Sequence, residues 1–145
     1  MGGIIDTNIL LYGANQDAEE HRSATNFLHR TISSREAWFL TEGICYEFLR
    51  VATHPKVFDR PLVWKEALHF LQPFWSSSGF EVLAAGENHW SILRKILEET
   101  TYPSGNLFFD IRTVVLMREH GIREIYTSDT DFLQFKGIKA INPLK

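Results

Sequence analysis

The chain is poor in several features that would assign it to common classes. Cys45 is the one cysteine in 145 residues, so no internal disulfide staples the fold. Its helical surroundings predict a buried thiol in a reducing compartment. No apolar run approaches the roughly 18–20 residues that a membrane helix needs. The start, Met1-Gly2-Gly3, reaches Asp6 at once, with neither the charged nor the apolar region of a signal peptide. Asp6 also stands where a myristoylation motif carries Ser or Thr. Positive charge is not in excess, since 15 Lys and Arg against 18 Asp and Glu give a net charge of −3. That excludes adhesion to nucleic acid by bulk charge but leaves room for a local basic rim. No repeat, linker or low-complexity tract interrupts the chain. The expectation is one cytoplasmic domain spanning residues 1–145.

What is present is core material: 44% of residues are hydrophobic and 13% aromatic. Short apolar runs alternate with helical patterns, which predicts an α/β fold with a mainly parallel sheet of four or five strands flanked by helices. Strands are expected at Gly3–Asp6, Ala37–Leu40, Phe80–Leu83, Glu124–Ser128 and, at an edge, Lys139–Ile141. Thr7 or Asn8 is expected to cap a short helix through Tyr12, a second helix covers Ala18–Ser33, and Thr41 caps a third that ends before His54-Pro55. Leu62–Ser76 reads as a helix whose Trp64, Leu68, Leu71 and Trp75 share a buried face, with Pro73 as a kink or stop. Asn88 and Asn106 read as caps of two further helices, the last closing at His120-Gly121.

Four acids sit where packing alone would not put them. Asp6 and Asp129 end apolar strands, at the sheet edge where ligands bind in open α/β folds. Glu47 shares a helix face with Ile44, Phe48 and Val51, and Asp110 with Leu107, Val114 and Met117. A carboxylate on a core-directed face is costly unless paired, protonated or bound to metal. Each acid alone also fits a helix cap, a turn residue or, for Glu47, a partner of Arg50. Together they suit a divalent cation, which holds ionised carboxylates that otherwise repel. Hard oxygen donors favour Mg²⁺ or Mn²⁺ over zinc. His21, His29, His54, His69, His89 and His120 show no metal-ligand spacing. Asp129-Thr130-Asp131 is a D-x-D, but it lies near the C-terminus and is followed by Phe132, unlike an aspartate-nucleophile phosphatase.

These residues resemble a known family. Asp6-Thr7-Asn8 after a short strand, Glu47 in a mid-chain helix, Asn106-Leu-Phe-Phe-Asp110 opening a late helix and Thr127-Ser128-Asp129-Thr130-Asp131-Phe132 after a strand are similar to the motifs of a PIN domain (PilT N-terminal). More narrowly they resemble a VapC-type toxin nuclease. The stretch from Glu47 to Pro55 and the ending Asn142-Pro143-Leu144 are similar to one bacterial branch.

The resemblance implies a Mg²⁺- or Mn²⁺-dependent ribonuclease with Asp6, Glu47, Asp110 and Asp129 as catalytic and metal-holding acids. Thr7, Asn8 and Thr127 would orient them, and Asp131 would be an outer acid or, preferably, the cap of the next turn. Arg50, Lys56, Arg60 and Arg112, with Arg94 and Lys95, are phosphate-contact expectations. A small antitoxin and a homodimer are further implications. The alternatives are a PIN-type RNA-processing nuclease outside a toxin pair and a catalytically silent PIN module that binds RNA or protein. The chain departs from the family in bulk: Asp110 is followed by Ile111-Arg112 and then Val114-Val115-Leu116-Met117, where small residues are usual.

Overall fold

The structure, a computed structural model, describes residues 2–145. Its centre is a five-stranded, wholly parallel sheet: β1 (Ile4–Ile5), β2 (Trp38–Thr41), β3 (Phe80–Leu83), β4 (Glu124–Tyr126) and β5 (Lys139–Ile141). The spatial order is β3-β2-β1-β4-β5. Six α-helices make the connections from β1 to β4, namely α1 (Thr7–Ala14), α2 (His21–Ser33), α3 (Glu42–Ala52), α4 (Trp64–Ser76), α5 (His89–Glu99) and α6 (Leu107–Glu119), and a 3₁₀ turn at Thr130–Gln134 joins β4 to β5. Crossovers of this kind cover both faces of a parallel sheet, so the central strand β1 is a buried apolar run, while the edge strands β3 and β5 are partly exposed. Ile4, Ile5 and Ile125 are accordingly fully buried.

The order reverses between β1 and β4. Strands added after β1 go to one side up to β3, and the chain then crosses back through α5 and α6 to place β4 on the other side. At such a switch point the loops leaving the two strands diverge and open a crevice at their carboxyl ends. Asp6 leaves β1 there and Thr127 leaves β4, with Ile5 paired to Tyr126 behind them.

The bulk of α6 is core packing. Ile111, Val114, Val115, Leu116 and Met117 are all buried in the core, and α6 packs against α5 in the long crossover from β3 to β4. The helix ends at Gly121 with φ +69°, a left-handed conformation that glycine adopts without a Cβ clash. The Ile122 N–H reaches the Met117 carbonyl at 2.9 Å and the Gly121 N–H the Arg118 carbonyl at 3.4 Å, a Schellman closure. Cys45 is buried, and burial pushes its thiol pKa up.

Several expectations are corrected. Trp64 and Trp75 are not core residues: they are 63% and 44% exposed, and Lys65 Nζ lies 5.5 Å from the Trp64 ring. The buried stripe of α4 is Ala67, Leu71 and Phe74, beside Phe70, which stacks on Phe48 at 5.0 Å. Neighbouring stripes of a helix carry similar periodicity, and two tryptophans bias the reading towards the wrong one. The helix also starts at Trp64 and not Leu62, and it passes through Pro73 to Ser76. Finally, the cap of α1 is Asp6, whose side chain accepts the Thr7 N–H, and not Thr7 or Asn8; α2 begins at His21, not Ala18, and Asn88 and Asn106 precede their helices without a side-chain capping bond. Around α6 the orphan donors are met by turn carbonyls instead, Leu107 N–H to Ser104 at 3.2 Å and Phe108 N–H to Gly105 at 3.2 Å.

Candidate metal centre and nuclease site

The site begins with Asp6, which is 7% exposed and held from three sides. Its Oδ1 accepts the Thr7 N–H at 2.9 Å. Its Oδ2 accepts the Thr127 hydroxyl at 2.8 Å and the Asn8 amide at 3.0 Å. Asn8 also donates to Thr127 Oγ1 at 3.1 Å, and its own carbonyl accepts the Ser128 N–H at 3.1 Å. The Asp129 N–H completes the Thr127 hydroxyl at 2.9 Å. One donor and two acceptor positions of that hydroxyl are thereby all used. Thr127 and Asn8 act through their side chains, while Thr7 acts through its backbone. Among the described residues the Thr7 hydroxyl has no hydrogen-bond partner.

Asp110 comes from the first turn of α6 and Glu47 from the middle of α3. Asp129 and Asp131 come from the turn after β4. One carboxylate oxygen from each of Asp110, Asp129 and Asp131 lies within 4.8 Å of the others. The capping role in that turn falls to Asp129, whose Oδ1 accepts the Asp131 N–H at 2.9 Å. Asp131, preferred as the cap on sequence, instead brings its carboxylate into the acidic group. Sequence spacing does not separate these roles, because in Asp-Thr-Asp either acid fits the cap.

All five acids line two adjoining hollows that share Asp6, Thr7, Glu47, Arg50, Phe109 and Asp110. The larger, of about 500 Å³, adds Tyr46 and Arg112, and the other, of about 320 Å³, adds Asn8, Asp129 and Asp131. The electrostatics reflect the crowding. Burial raises Asp6 to about 6, against the pull of its bonds from Thr127 and Thr7, with Glu47 and Asp129 adding repulsion. Burial likewise raises Asp110 to about 7, reinforced by Asp6, Asp129, Asp131 and Glu47. Carboxylates held this way gain most from a divalent cation, and an all-oxygen donor set suits a hard one. The residues therefore fit a Mg²⁺- or Mn²⁺-type ion.

The basic residues divide. Arg50 and Arg112 line the cleft. Arg60 does not: it pairs with Asp17 at 2.7 Å in a separate hollow. Arg94 pairs with Glu98 at 3.3 Å along α5. Lys56 is exposed in the loop after α3 and is not among the residues lining the cleft.

A parallel sheet with acids converging at its switch point is an α/β architecture with a candidate divalent-cation site. The PIN domain model matches residues 4–138, and the chain belongs to the PIN domain family. It is 30% identical over 145 residues to Ribonuclease VapC33 of Mycobacterium tuberculosis, covering 98% of each chain. It is 28% identical over 143 residues to Ribonuclease VapC48 of the same organism, covering 99% of this chain and 98% of that one. Among solved structures it resembles VapBC2 from Rickettsia felis bound to a promoter DNA fragment, with TM-score 0.68, 16% identity and 97% of each chain covered. The sarcin–ricin-loop-cleaving toxin VapC20 of M. tuberculosis superimposes with TM-score 0.66 at 16% identity, over 90% of this chain and 92% of that one.

Proposed function

We propose that the chain is the VapC-type toxin of a toxin–antitoxin pair, a divalent-metal-dependent endoribonuclease acting as one domain in the cytoplasm. The observation that carries this reading is the meeting of Asp6, Glu47, Asp110, Asp129 and Asp131 in one cleft at the sheet's switch point. Family membership and ribonuclease relatives covered over nearly their full length support it. A small antitoxin partner is inferred from the toxin–antitoxin complexes that share the fold, and a homodimer from the family resemblance.

In this reading Asp6, Asp110 and Asp129 hold the cation, with Glu47 and Asp131 completing the acidic shell. When bound, such an ion neutralises a scissile phosphate oxygen and lowers the pKa of water, supplying a nucleophile at neutral pH. The protein's own part is preorganisation. Thr127 and Asn8 fix the Asp6 carboxylate so that it need not reorient when charge develops nearby. The hydrophobic bed of Ile5 and Ile111 keeps the acids' supporting elements rigid.

The test is cleavage of a mixed structured-RNA pool in EDTA, Mg²⁺ and Mn²⁺, with Asp110→Asn prepared identically. Metal-dependent cutting lost in the variant is expected. No cutting by a folded wild type under any condition overturns the nuclease assignment in favour of a silent binding module. Co-purification with the product of a short neighbouring gene tests the toxin half of the reading.

A further inference from the structure

Arg112 occupies an unusual place in this cleft. It lies two residues after Asp110 on α6, and its guanidinium rests against the Cα of Gly43 in the first turn of α3. A Cβ at Gly43 would stand 2.9 Å from Arg112 Nη1, 3.2 Å from Cζ and 3.6 Å from Nε. With glycine at 43 the guanidinium takes this position unhindered, whereas a methyl there would push its flexible end aside.

The arrangement is costly to the fold. Gly43 is the second residue of α3, where glycine is less favourable than alanine though by less than the roughly 1 kcal/mol of a helix interior. A cation beside the first turn of a helix faces the positive end of the helix dipole. Six carboxylates line the connected hollows, Glu42 beside Gly43 among them, yet among the described residues Arg112 forms no ion pair with any of them. Neither packing stability nor neutralisation of the acids accounts for where it sits. What the position offers is a fork of five N–H donors left free in the cleft, the group best shaped for two oxygens of one phosphate. Tyr46 and Phe109 line the same hollow and are 69% and 61% exposed. Exposed rings beside a phosphate donor fit bases stacking along a nucleic-acid strand rather than a free inorganic anion.

The geometry points to Arg112, seated on Gly43, as a residue that grips an RNA backbone phosphate beside the acidic centre, with Tyr46 and Phe109 stacking the adjoining bases. This rests on the ribonuclease reading of the cleft. It makes position 43 a specificity-bearing glycine whose requirement is set by a side chain from another helix.

Binding is measured separately from cleavage, by anisotropy of a fluorescent mixed-sequence single-stranded RNA in the Asp110→Asn background. Arg112→Ala is expected to weaken binding about fivefold or more and to lower the salt slope by about one. Arg123→Ala, an exposed arginine outside the cleft, is expected to change it less than twofold. Gly43→Ala separates grip from stability. The far end of a flexible arginine yields to the new methyl while α3 gains helix propensity, so the variant melts no lower than its parent but binds RNA less tightly. Arg112→Ala indistinguishable from Arg123→Ala in affinity and salt slope overturns the inference. So does a parent protein that binds no RNA, or an Arg112→Ala defect confined to capture by a protein partner. Cleavage by the wild type is scored independently. A non-cutting protein with Arg112-dependent binding overturns the nuclease reading alone, and a cutting protein whose RNA affinity ignores Arg112 overturns this inference alone.

Discussion

Thr127 Oγ1 donates to Asp6 Oδ2 at 2.8 Å, joining the exits of two neighbouring strands whose residues are 121 positions apart. The bond ties β1 to β4 at the point where the sheet changes direction, and it is one of the two side-chain bonds that orient the buried Asp6 carboxylate.

Thr127→Val keeps the shape and removes the hydroxyl. The Asn8 amide and the Asp129 N–H lose their acceptor, and Asp6 loses a donor that lowers its pKa. Stability is expected to fall by about 2 kcal/mol, the range for stranding buried polar groups. Because the lost bond favoured the ionised form, the Asp6 pKa rises further. The acid limb of a cleavage–pH profile therefore moves to higher pH, whereas a purely structural defect lowers the plateau without moving the limb.

Asp110 gives a pH test that needs no substrate. Burial and neighbouring acids raise its pKa from 3.8 to about 7 in the folded chain. A raised folded pKa means the unfolded state loses its proton first. The associated stability is fully present below about pH 3.8 and is lost as pH rises through about 7. Asparagine carries no such loss. Without metal, Asp110→Asn is expected to melt roughly 2–5 °C above wild type at alkaline pH, the gap closing as pH falls towards 4. Differential scanning fluorimetry in EDTA across that range measures it, and a gap independent of pH contradicts the repulsion account.

The sequence carried the fold's order because apolar runs alternate with helical patterns along the chain, and at α3 the cap is explicit, Thr41 accepting the Ile44 N–H at 3.0 Å. Asp6, Glu47, Asp110 and Asp129 stood out because acids at strand ends and on apolar helix faces violate ordinary patterning. What was not legible depends on rotation and on through-space approach. Whether α4 buries Trp64 or Ala67 is a turn of about 60° about the helix axis. Asp131 and Asp129 exchange roles over one turn, and nothing in the sequence brings Arg112 onto Gly43. Arg60 looked like a rim cation until Asp17, distant along the chain, proved to be its partner.

Asp131 bears on the metal. Its carboxylate groups with those of Asp110 and Asp129, so Asp131→Asn is expected to reduce apparent Mn²⁺ affinity by roughly tenfold, the scale for groups that support a metal site. The readout is the Mn²⁺ concentration needed to raise the melting temperature, which reports binding through mass action. Asp59→Asn, exposed in the loop before α4, serves as the charge-matched control. Equal Mn²⁺ responses in the two variants would place Asp131 outside the site.

Glu119 tests the opposite end of the helix that carries Asp110. Its Oε2 accepts the Gly86 N–H at 2.7 Å and its Oε1 faces His89 Nδ1 at 2.6 Å, fastening the segment between β3 and α5 to the end of α6. Burial pushes the Glu119 pKa up, but the bonds from His89 and Gly86 outweigh it and hold the group below 4.5. A lowered folded pKa stabilises above the unfolded value and is lost as pH falls through the folded one. Glu119→Gln keeps an acceptor for Gly86 and removes the charge. It is expected to lower the melting temperature by a few degrees near neutral pH and progressively less below pH 4.5. Nine residues of helix rise separate it from Asp110, about 13 Å, so Mn²⁺ affinity and RNA cleavage per folded molecule should match wild type. A loss of metal response in this variant would mean that α6 transmits its C-terminal anchoring to the acidic cleft, and that the helix is a mechanical part of the site rather than a scaffold beneath it.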